Sequence, residues 1–240
     1  MKTLLALVLL IGAPPARAAL SGDFESRVRS NLIKPFALDL GGVLGAASID
    51  TGRSWGFPGF EAGVVSGLQF RPDRDNLILR DSRISAFGVP MLQVGVGLPM
   101  DISVVAHGLS YAGTSVVGGG LRFGLFKAPV VGSALPTAGV PFFADKVRNA
   151  AFSAQHYAAN VSAGWALPLV TPFAALGYDL TQVEVGAAVT PGVAGQSAWA
   201  RGTRWALGAD ITPLPLLRLR AAYQMLHGIP GATLGLLFKF

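Results

Sequence analysis

The amino-acid sequence has 240 residues, 51% of them hydrophobic and 13% charged, a balance too apolar for an ordinary secreted enzyme. It has no cysteine, which excludes a disulfide scaffold, a thiolate nucleophile and a cysteine-ligated metal site. The formal net charge of +6 falls by two when Lys2 and Arg17 of a predicted leader are removed. No basic patch interleaved with aromatic residues is present, so we expect no nucleic-acid partner.

The N-terminal residues have the pattern of a secretory signal peptide. Residues 1–3 form a short basic region, residues 4–13 are apolar but too few to span a bilayer, and residues 16–18 fit the small-x-small cleavage rule. We therefore expect cleavage after Ala18 and export of the chain.

Residues 19–58 precede the regular part of the sequence. Residues 22–33 predict a short amphipathic helix that ends before Pro35. Residues 36–49 are rich in glycine and ambiguous, because their apolar and polar positions alternate at first as they would in a strand. Residues 53–59 look like a turn that leads into the first clear strand.

From residue 60 onward, apolar and polar residues alternate with the period of a β-strand in segment after segment. Proline-containing turns separate several of these segments, at 98–100, 167–170 and 212–215. About ten strands are predicted, the fifth more weakly than the rest: 60–70, 92–98, 102–107, 115–127, 134–143, 151–167, 170–183, 204–211, 217–225 and 232–240.

The last strand has a strongly two-sided pattern. Leu234, Leu236, Phe238 and Phe240 share one face, and the chain ends on the aromatic residue. This strand resembles the closing strand of bacterial outer-membrane β-barrels, whose terminal residue is read by the insertion machinery. The resemblance implies that this machinery is a partner through Phe240.

Together these patterns predict an all-β fold, an antiparallel transmembrane β-barrel of about ten strands with a short N-terminal helical or plug-like segment. The competing class is a helical membrane protein, since residues 158–178 carry no charge over a spanning length. Pro168 and Pro172 interrupt that stretch, and its polar and apolar residues alternate. The expected organisation is a signal peptide (1–18), a plug-like segment (19–58) and a barrel (59–240). If residues 19–58 instead add strands, the barrel has twelve.

Strand parity predicts how the connections are distributed. If both ends of the barrel face the periplasm, the three proline-containing turns fall on that side, as the short turns of such barrels do. The opposite, outer side then carries five connections, which include the two longest: 71–87, 109–114, 144–150, 184–200 and 227–231.

Short motifs add a resemblance to a known group. Residues 56–60 (GFPGF), 94–99 (VGVGLP) and 171–178 (TPFAALGY), with the terminal Phe240, resemble a family of uncharacterised bacterial outer-membrane barrels. That family is loosely similar to the long-chain fatty-acid transporters. The resemblance implies an outer-membrane location and a plugged lumen, but the substrate-binding residues of those transporters have no counterparts in this sequence.

Ten polar residues are expected on the lumen side, and they are the candidate site residues. One interpretation is a paired ionic network, because buried charges must be paired or hydrated. The other is that Arg204, Arg218 and Arg220 form a basic strip that attracts an anionic headgroup or solute. The ten are Glu61, Asp101, His107, Arg122, His156, Asp179, Arg204, Asp210, Arg218 and Arg220.

Nothing in the sequence predicts catalysis. Ser153, Ser162 and Asn160 lie near His156, but no Gly-x-Ser-x-Gly motif is present and no pair of His or acidic residues has metal-ligand spacing. The third histidine, His227, falls in an outer hairpin. We expect no catalytic residue, no cofactor and no metal.

The densest charge cluster, residues 71–83, lies in a predicted outer loop. It is either a solvated loop or a surface whose arginines contact lipopolysaccharide phosphates, directly or through divalent ions held by the aspartates. The expected partners are outer-membrane lipids, lipopolysaccharide and a small or hydrophobic solute.

The leading functional hypothesis is passive uptake or export of that solute across the outer membrane. The alternative is a non-conducting barrel that displays loops 71–87 and 184–200. A third is an embedded lipid hydrolase or protease.

Overall fold

The computed structural model describes residues 19–111, 113–126, 136–187, 189 and 192–240. The predicted signal peptide lies outside the described residues. Helix α1 (Ala19–Arg27), a 3-10 turn (Ser30–Leu32) and helix α2 (Ile33–Ala47) come first. Among the described residues, no helix is both long and apolar enough to cross a bilayer.

Ten strands follow, with one short helix, α3 (Leu77–Asp81), between the first two. The strands are β1 (Phe60–Gln69), β2 (Phe87–Gly97), β3 (Ile102–Tyr111), β4 (Thr114–Phe126), β5 (Thr137–Asn149), β6 (Phe152–Gly164), β7 (Val170–Val185), β8 (Ser197–Leu214), β9 (Leu217–Leu226) and β10 (Ile229–Lys239).

The ten strands form one closed antiparallel barrel. Each strand pairs with its neighbours in sequence, and β10 pairs with β1 to close the sheet. At this seam the Phe60 N–H donates to Phe240 O at 3.1 Å and the Phe240 N–H donates to Phe60 O at 2.8 Å. The predicted fold class and the count of ten are confirmed, and the twelve-strand alternative is wrong.

The two faces of the sheet differ as the alternation predicts. On β2, Leu92, Val94 and Val96 are exposed, while the residues between them are buried. Aromatic side chains lie on the outside toward both ends, such as Trp199 at one end and Trp165 at the other. An apolar outer band with aromatic residues at its edges is the surface that a barrel presents to lipid.

The connections distinguish the two ends of the barrel. The start of β1, the end of β10 and the turns 98–101, 165–169 and 215–216 lie at one end, called here the inner end. The outer end carries the connections 70–86, with helix α3, and 186–196, together with three short hairpins. β4 also ends, and β5 begins, at the inner end, with a longer link between Phe126 and Thr137. The other three inner connections are short, as periplasmic turns are in such barrels, so we expect the inner end to face the periplasm.

Helix α2 lies inside the barrel. Every residue from Asp39 to Ala47 is buried, and a helix buried on all sides must be enclosed by other elements. The helix begins at the outer end, and residues 48–59 lead from it to β1 at the inner end. The helical interpretation of the N-terminal segment is thus confirmed, and the strand interpretation of residues 36–49 is wrong.

The boundaries of the N-terminal helices also differ from the prediction. Residues 22–33 do not form one helix, because the chain leaves α1 after Arg27 and enters α2 at Ile33. Pro35 does not end a helix. It stands in the first turn of α2, where a backbone N–H has no partner within the helix and its loss costs nothing.

An apolar core closes the outer end. The ring centroid of Phe24 on α1 lies 4.8 Å from that of Phe36 on α2 and 4.9 Å from that of Phe152 on β6. Ile78 and Leu79 of α3 belong to the same buried cluster. The first and third helices therefore cover the outer mouth of the lumen.

Four of the five predicted outer connections are shorter than expected, since β3 extends to Tyr111 and β10 begins at Ile229. Residues 144–149 belong to β5, and 186–196 rather than 184–200 separate β7 from β8. Lys146 and Arg148 are exposed on the outside of β5, while Asp145 and Val147, which alternate with them along the strand, are buried. Strand β5 thus continues beyond the apolar band, and its outer face there carries charged residues.

Candidate functional site

The ten candidate residues fall in two places. The prediction for Asp101 is wrong: it precedes β3 and lies in the turn 98–101 at the inner end, not on the lumen face of a strand. The other nine lie on strands with buried side chains, Arg218 being the most exposed of them at 14%. They are Glu61, His107, Arg122, His156, Asp179, Arg204, Asp210, Arg218 and Arg220.

The first group of lumen residues, called here the histidine cluster, lies in the outer half of the barrel. It consists of His107, Asp145, His156, Asp179, Arg204 and His227. Sequence reasoning missed two of its members. Asp145 was assigned to a loop, although its place between Phe143 and Val147 shows the strand period, and His227 was assigned to an outer hairpin.

Histidines and carboxylates alternate through this cluster. His156 Nδ1 lies 2.8 Å from Asp145 Oδ2, and its Nε2 lies 3.2 Å from Asp179 Oδ1. His107 contacts the other oxygen of Asp145. His227 Nε2 lies 3.0 Å from Asp179 Oδ2. The result is a continuous chain of hydrogen bonds along the lumen wall.

Arg204 connects this chain to the N-terminal segment. Its Nη1 donates to both oxygens of Asp179, at 2.7 and 2.9 Å. Its Nη2 donates to Ser48 Oγ at 3.2 Å and also to Asn160 Oδ1. Because Ser48 directly follows α2, the cluster fixes the end of that helix to the barrel wall.

The second group, called here the arginine cluster, lies nearer the inner end. It consists of Asp50, Glu61, Arg122, Asp210, Arg218 and Arg220. Asp50 was not among the candidates, because it lies in the segment before the barrel. Arg218 forms ion pairs with both Glu61 and Asp210.

The arginine cluster also binds the N-terminal segment. Arg220 donates two hydrogen bonds to Asp210, at 2.7 and 2.8 Å, and a third to Ile49 O at 2.8 Å. Arg122 Nε lies 2.7 Å from Asp50 Oδ2. Residues on β4, β8 and β9 therefore hold the stretch that follows α2.

The chemistry available to the two clusters is limited by this pairing. The predicted basic strip is neutralised, because Arg204, Arg218 and Arg220 each face a carboxylate. Both ring nitrogens of His156 also face carboxylates, so neither is free to accept a proton from a nucleophile. No group of three or more His, Asp or Glu among the described residues is placed to hold a metal ion.

The outer half of α2 is held by a third contact, centred on Asp39. Its carboxylate accepts hydrogen bonds from Gln69 Nε2 at 2.6 Å, Asn76 Nδ2 at 2.7 Å and Asp73 N at 2.9 Å. Burial raises the pKa of the Asp39 carboxyl, and these hydrogen bonds oppose that shift. The connection 70–86 is thereby fastened to the helix in the lumen.

A cleft of about 840 Å³ lies beside this contact, at the outer end. It runs between the connection 70–86 and the hairpin that joins β9 to β10. Its charged lining consists of Arg71, Asp73, Arg74, Arg80, Arg83 and His227, and its apolar lining includes Pro72, Ile84 and Ile229.

Among the comparisons with known proteins, the one with solved structures finds similar proteins, and these are β-barrels. No protein-family model and no curated protein matches the sequence. The chain is similar to the N-terminal β-barrel domain of Pseudomonas aeruginosa OprF, with 13% identity and a TM-score of 0.36 over 58% of this chain and 96% of that one.

Two further solved structures are similar at the same level. Neisserial surface protein A (NspA) gives 10% identity and a TM-score of 0.34 over 75% of this chain and 95% of that one. Ail, the attachment invasion locus protein of Yersinia pestis, gives 11% identity and a TM-score of 0.31 over 77% of this chain and 100% of that one.

Proposed function

We propose that this outer-membrane β-barrel conducts no solute in its resting state and acts through the surface that it presents at its outer end. The observation that carries the proposal is the filling of the lumen by α2 and residues 48–59. Both ion clusters bind this segment, and α1 and α3 cover the mouth above it. Solute passage, the leading hypothesis from the sequence, requires this segment to leave.

The contacts of the segment favour a permanent filling. A Cβ placed on Gly41 would lie 3.1 Å from Thr181 Cβ, so the helix and the wall are in close contact. Gln224 donates to Ala46 O at 3.0 Å and Thr233 to the same oxygen at 2.6 Å. Withdrawal of α2 would break these hydrogen bonds, each of which contributes about 0.5–1.5 kcal/mol to stability.

The hydrogen bonds of His156 and His227 argue against the hydrolase hypothesis. A hydrolase needs a nucleophile within reach of a free base, and the ring nitrogens of His156 are both engaged. His227 is engaged as well, through Leu38 O at 3.0 Å and Asp179. We therefore propose a function in binding and not in catalysis.

The test is conductance of the purified full-length protein in planar bilayers, combined with a reversible cross-link. Gly41→Cys and Thr181→Cys place two Cβ atoms close to the 3.5–4.5 Å of a disulfide, in a chain that has no other cysteine. We expect no steady conductance from the wild type, and none from the oxidised or reduced double variant.

A wild type that conducts would overturn the proposal. If oxidation of the double variant then abolished the current and reduction restored it, the current would pass through the lumen by movement of α2. The gel shift on boiling serves as the folding control, because folded barrels of this kind migrate differently from unfolded chains.

A further inference from the structure

The arginines of the protein fall into two sets with opposite electrostatic surroundings. The lumen arginines are each paired with a carboxylate. Arg71, Arg74, Arg80 and Arg83 line the outer cleft, are exposed, and have no ion pair with any carboxylate of the described residues. The lining of the cleft therefore holds four arginines against one carboxylate, Asp73, and carries a net positive charge.

We propose that this cleft binds a phosphate group carried on the sugar headgroup of an outer-leaflet glycolipid, as in lipopolysaccharide. The inference rests on the proposed function and deepens it, since it specifies what the outer surface binds. A guanidinium group matches a phosphate with two parallel hydrogen bonds, and several of them around one cleft give an anion site.

The position of the cleft favours a lipid-borne phosphate. The cleft lies above β1 and β10, directly beyond the apolar outer band, at the level where headgroups of the outer leaflet lie. Other outward-facing basic residues, Arg148 on β5 and Arg201 on β8, lie near the same end of the barrel. Basic residues at this level face an anionic leaflet.

The lining of the cleft suits a glycolipid headgroup better than a bare ion. Ile84, Ile229 and Pro72 provide an apolar wall beside the arginines, against which the carbon skeleton of a sugar can pack. A volume of about 840 Å³ is also far larger than one phosphate needs. One carboxylate, Asp73, lies among the arginines, where a sugar hydroxyl can donate to it.

The floor of the cleft is rigid because it shares residues with the lumen. His227 lines the cleft and is held by Leu38 and Asp179 from inside the barrel. Asp73 is held by Asp39. A site held in place before binding loses less conformational entropy when a ligand arrives.

The test is a titration of the detergent-solubilised full-length protein with fluorescent bisphosphorylated lipid A, followed by anisotropy. The matched probe is the same lipid after enzymatic removal of its phosphates. We expect the phosphorylated lipid to bind at least ~10-fold more tightly, since ionic hydrogen bonds contribute about 1.5–3 kcal/mol.

Two paired variants and a control locate the site. Arg71→Gln with Arg74→Gln, and Arg80→Gln with Arg83→Gln, should each weaken binding of the phosphorylated lipid ~10-fold or more. Arg148→Gln removes an equally exposed positive charge at the same end, on the opposite side of the barrel, and should change binding less than ~2-fold. All variants should keep the gel shift of a folded barrel.

Three outcomes would overturn the proposal. Equal affinity for the two lipids would show that the protein does not recognise the phosphate. Equal weakening by Arg148→Gln would show general attraction to a basic rim. Complete competition by sub-millimolar inorganic phosphate would show a site for the free ion. Each of these leaves the conductance result untouched, so failure of this inference is distinguishable from failure of the proposed function.

Discussion

Asp179 shows how a single side chain organises the lumen. It accepts hydrogen bonds from Arg204 on the neighbouring strand, from His156 on the strand before it, and from His227 in an outer hairpin. Arg204 is in turn fully buried, so its charge has no access to water. Removing one member of a buried ion pair costs more than the pair itself contributes.

We therefore expect Asp179→Asn to lower the free energy of unfolding by about 3–5 kcal/mol. The amide presents two donors where three donors already converge, and it leaves Arg204 without a charge partner. Urea unfolding in lipid vesicles, followed by tryptophan fluorescence, measures the effect. The control is Asp75→Asn in the exposed connection, which should stay within about 0.5 kcal/mol of the wild type. Equal stability of the two variants would contradict the argument.

At the scale of the element, the shape of α2 decides whether it fits the lumen. Gly41 and Gly45 stand one turn apart and face the wall at Thr181 and Arg204. Glycine costs helix stability, at roughly 1 kcal/mol relative to alanine. The helix bears that cost because a larger residue has no space beside the native side chains of Thr181 and Arg204.

Two matched substitutions test this fit. Gly45→Ala places a Cβ into Arg204 Nη1 and Asp179 Oδ1, so we expect a loss of about 1–3 kcal/mol from overpacking. Gly22→Ala on α1 meets nothing within 4 Å. It should stabilise by up to about 1 kcal/mol through helix propensity. The same urea titration compares them, and a neutral Gly45→Ala would mean that the helix is loosely held.

The elements differ in how far the sequence predicts them. Strands with one face toward lipid keep a clear period of two, and the face of β10 that carries Phe238 follows from it directly. Helix α2 is enclosed on all sides, so it has no polar face to mark a helical period. Apolar and polar residues alternate at 36–41, and this short pattern wrongly predicted a strand.

Which charged residues pair with each other also cannot be predicted from the sequence. Alternation places Asp179 and Arg204 on the inner face. The register between β7 and β8 sets each of them opposite a glycine, so that the two side chains meet diagonally, at 2.7 Å. Asp50 and Ser48 enter the lumen from outside the barrel sequence, so no strand pattern predicts them. The two clusters therefore follow from closure of the sheet around the N-terminal segment.

At the scale of the whole molecule, the direction of the chain through the lumen is the main feature. Helix α1 lies at the outer end, α2 descends through the barrel, and β1 begins at the inner end. The part of the chain before β1 therefore crosses the full height of the barrel, and we expect α1 to face the cell surface.

Single cysteines can test this topology in a chain that has none of its own. Arg29, exposed just after α1, and Arg53, exposed near the inner end, are suitable positions. In intact cells, a membrane-impermeant maleimide should label Arg29→Cys and spare Arg53→Cys until the outer membrane is permeabilised. The reverse labelling pattern would place the outer end in the periplasm.

The seam between β1 and β10 has a consequence for the order of assembly. It joins the first strand to the last, so the sheet becomes a ring in the final pairing step. The lumen of that ring is occupied by α2 in close contact with the wall, and α1 lies beyond it. A segment that bears a helix at its far end cannot be drawn through so tight an opening afterwards. We therefore expect the strands to pair around an N-terminal segment that is already in place, with closure of the seam as the last event of folding.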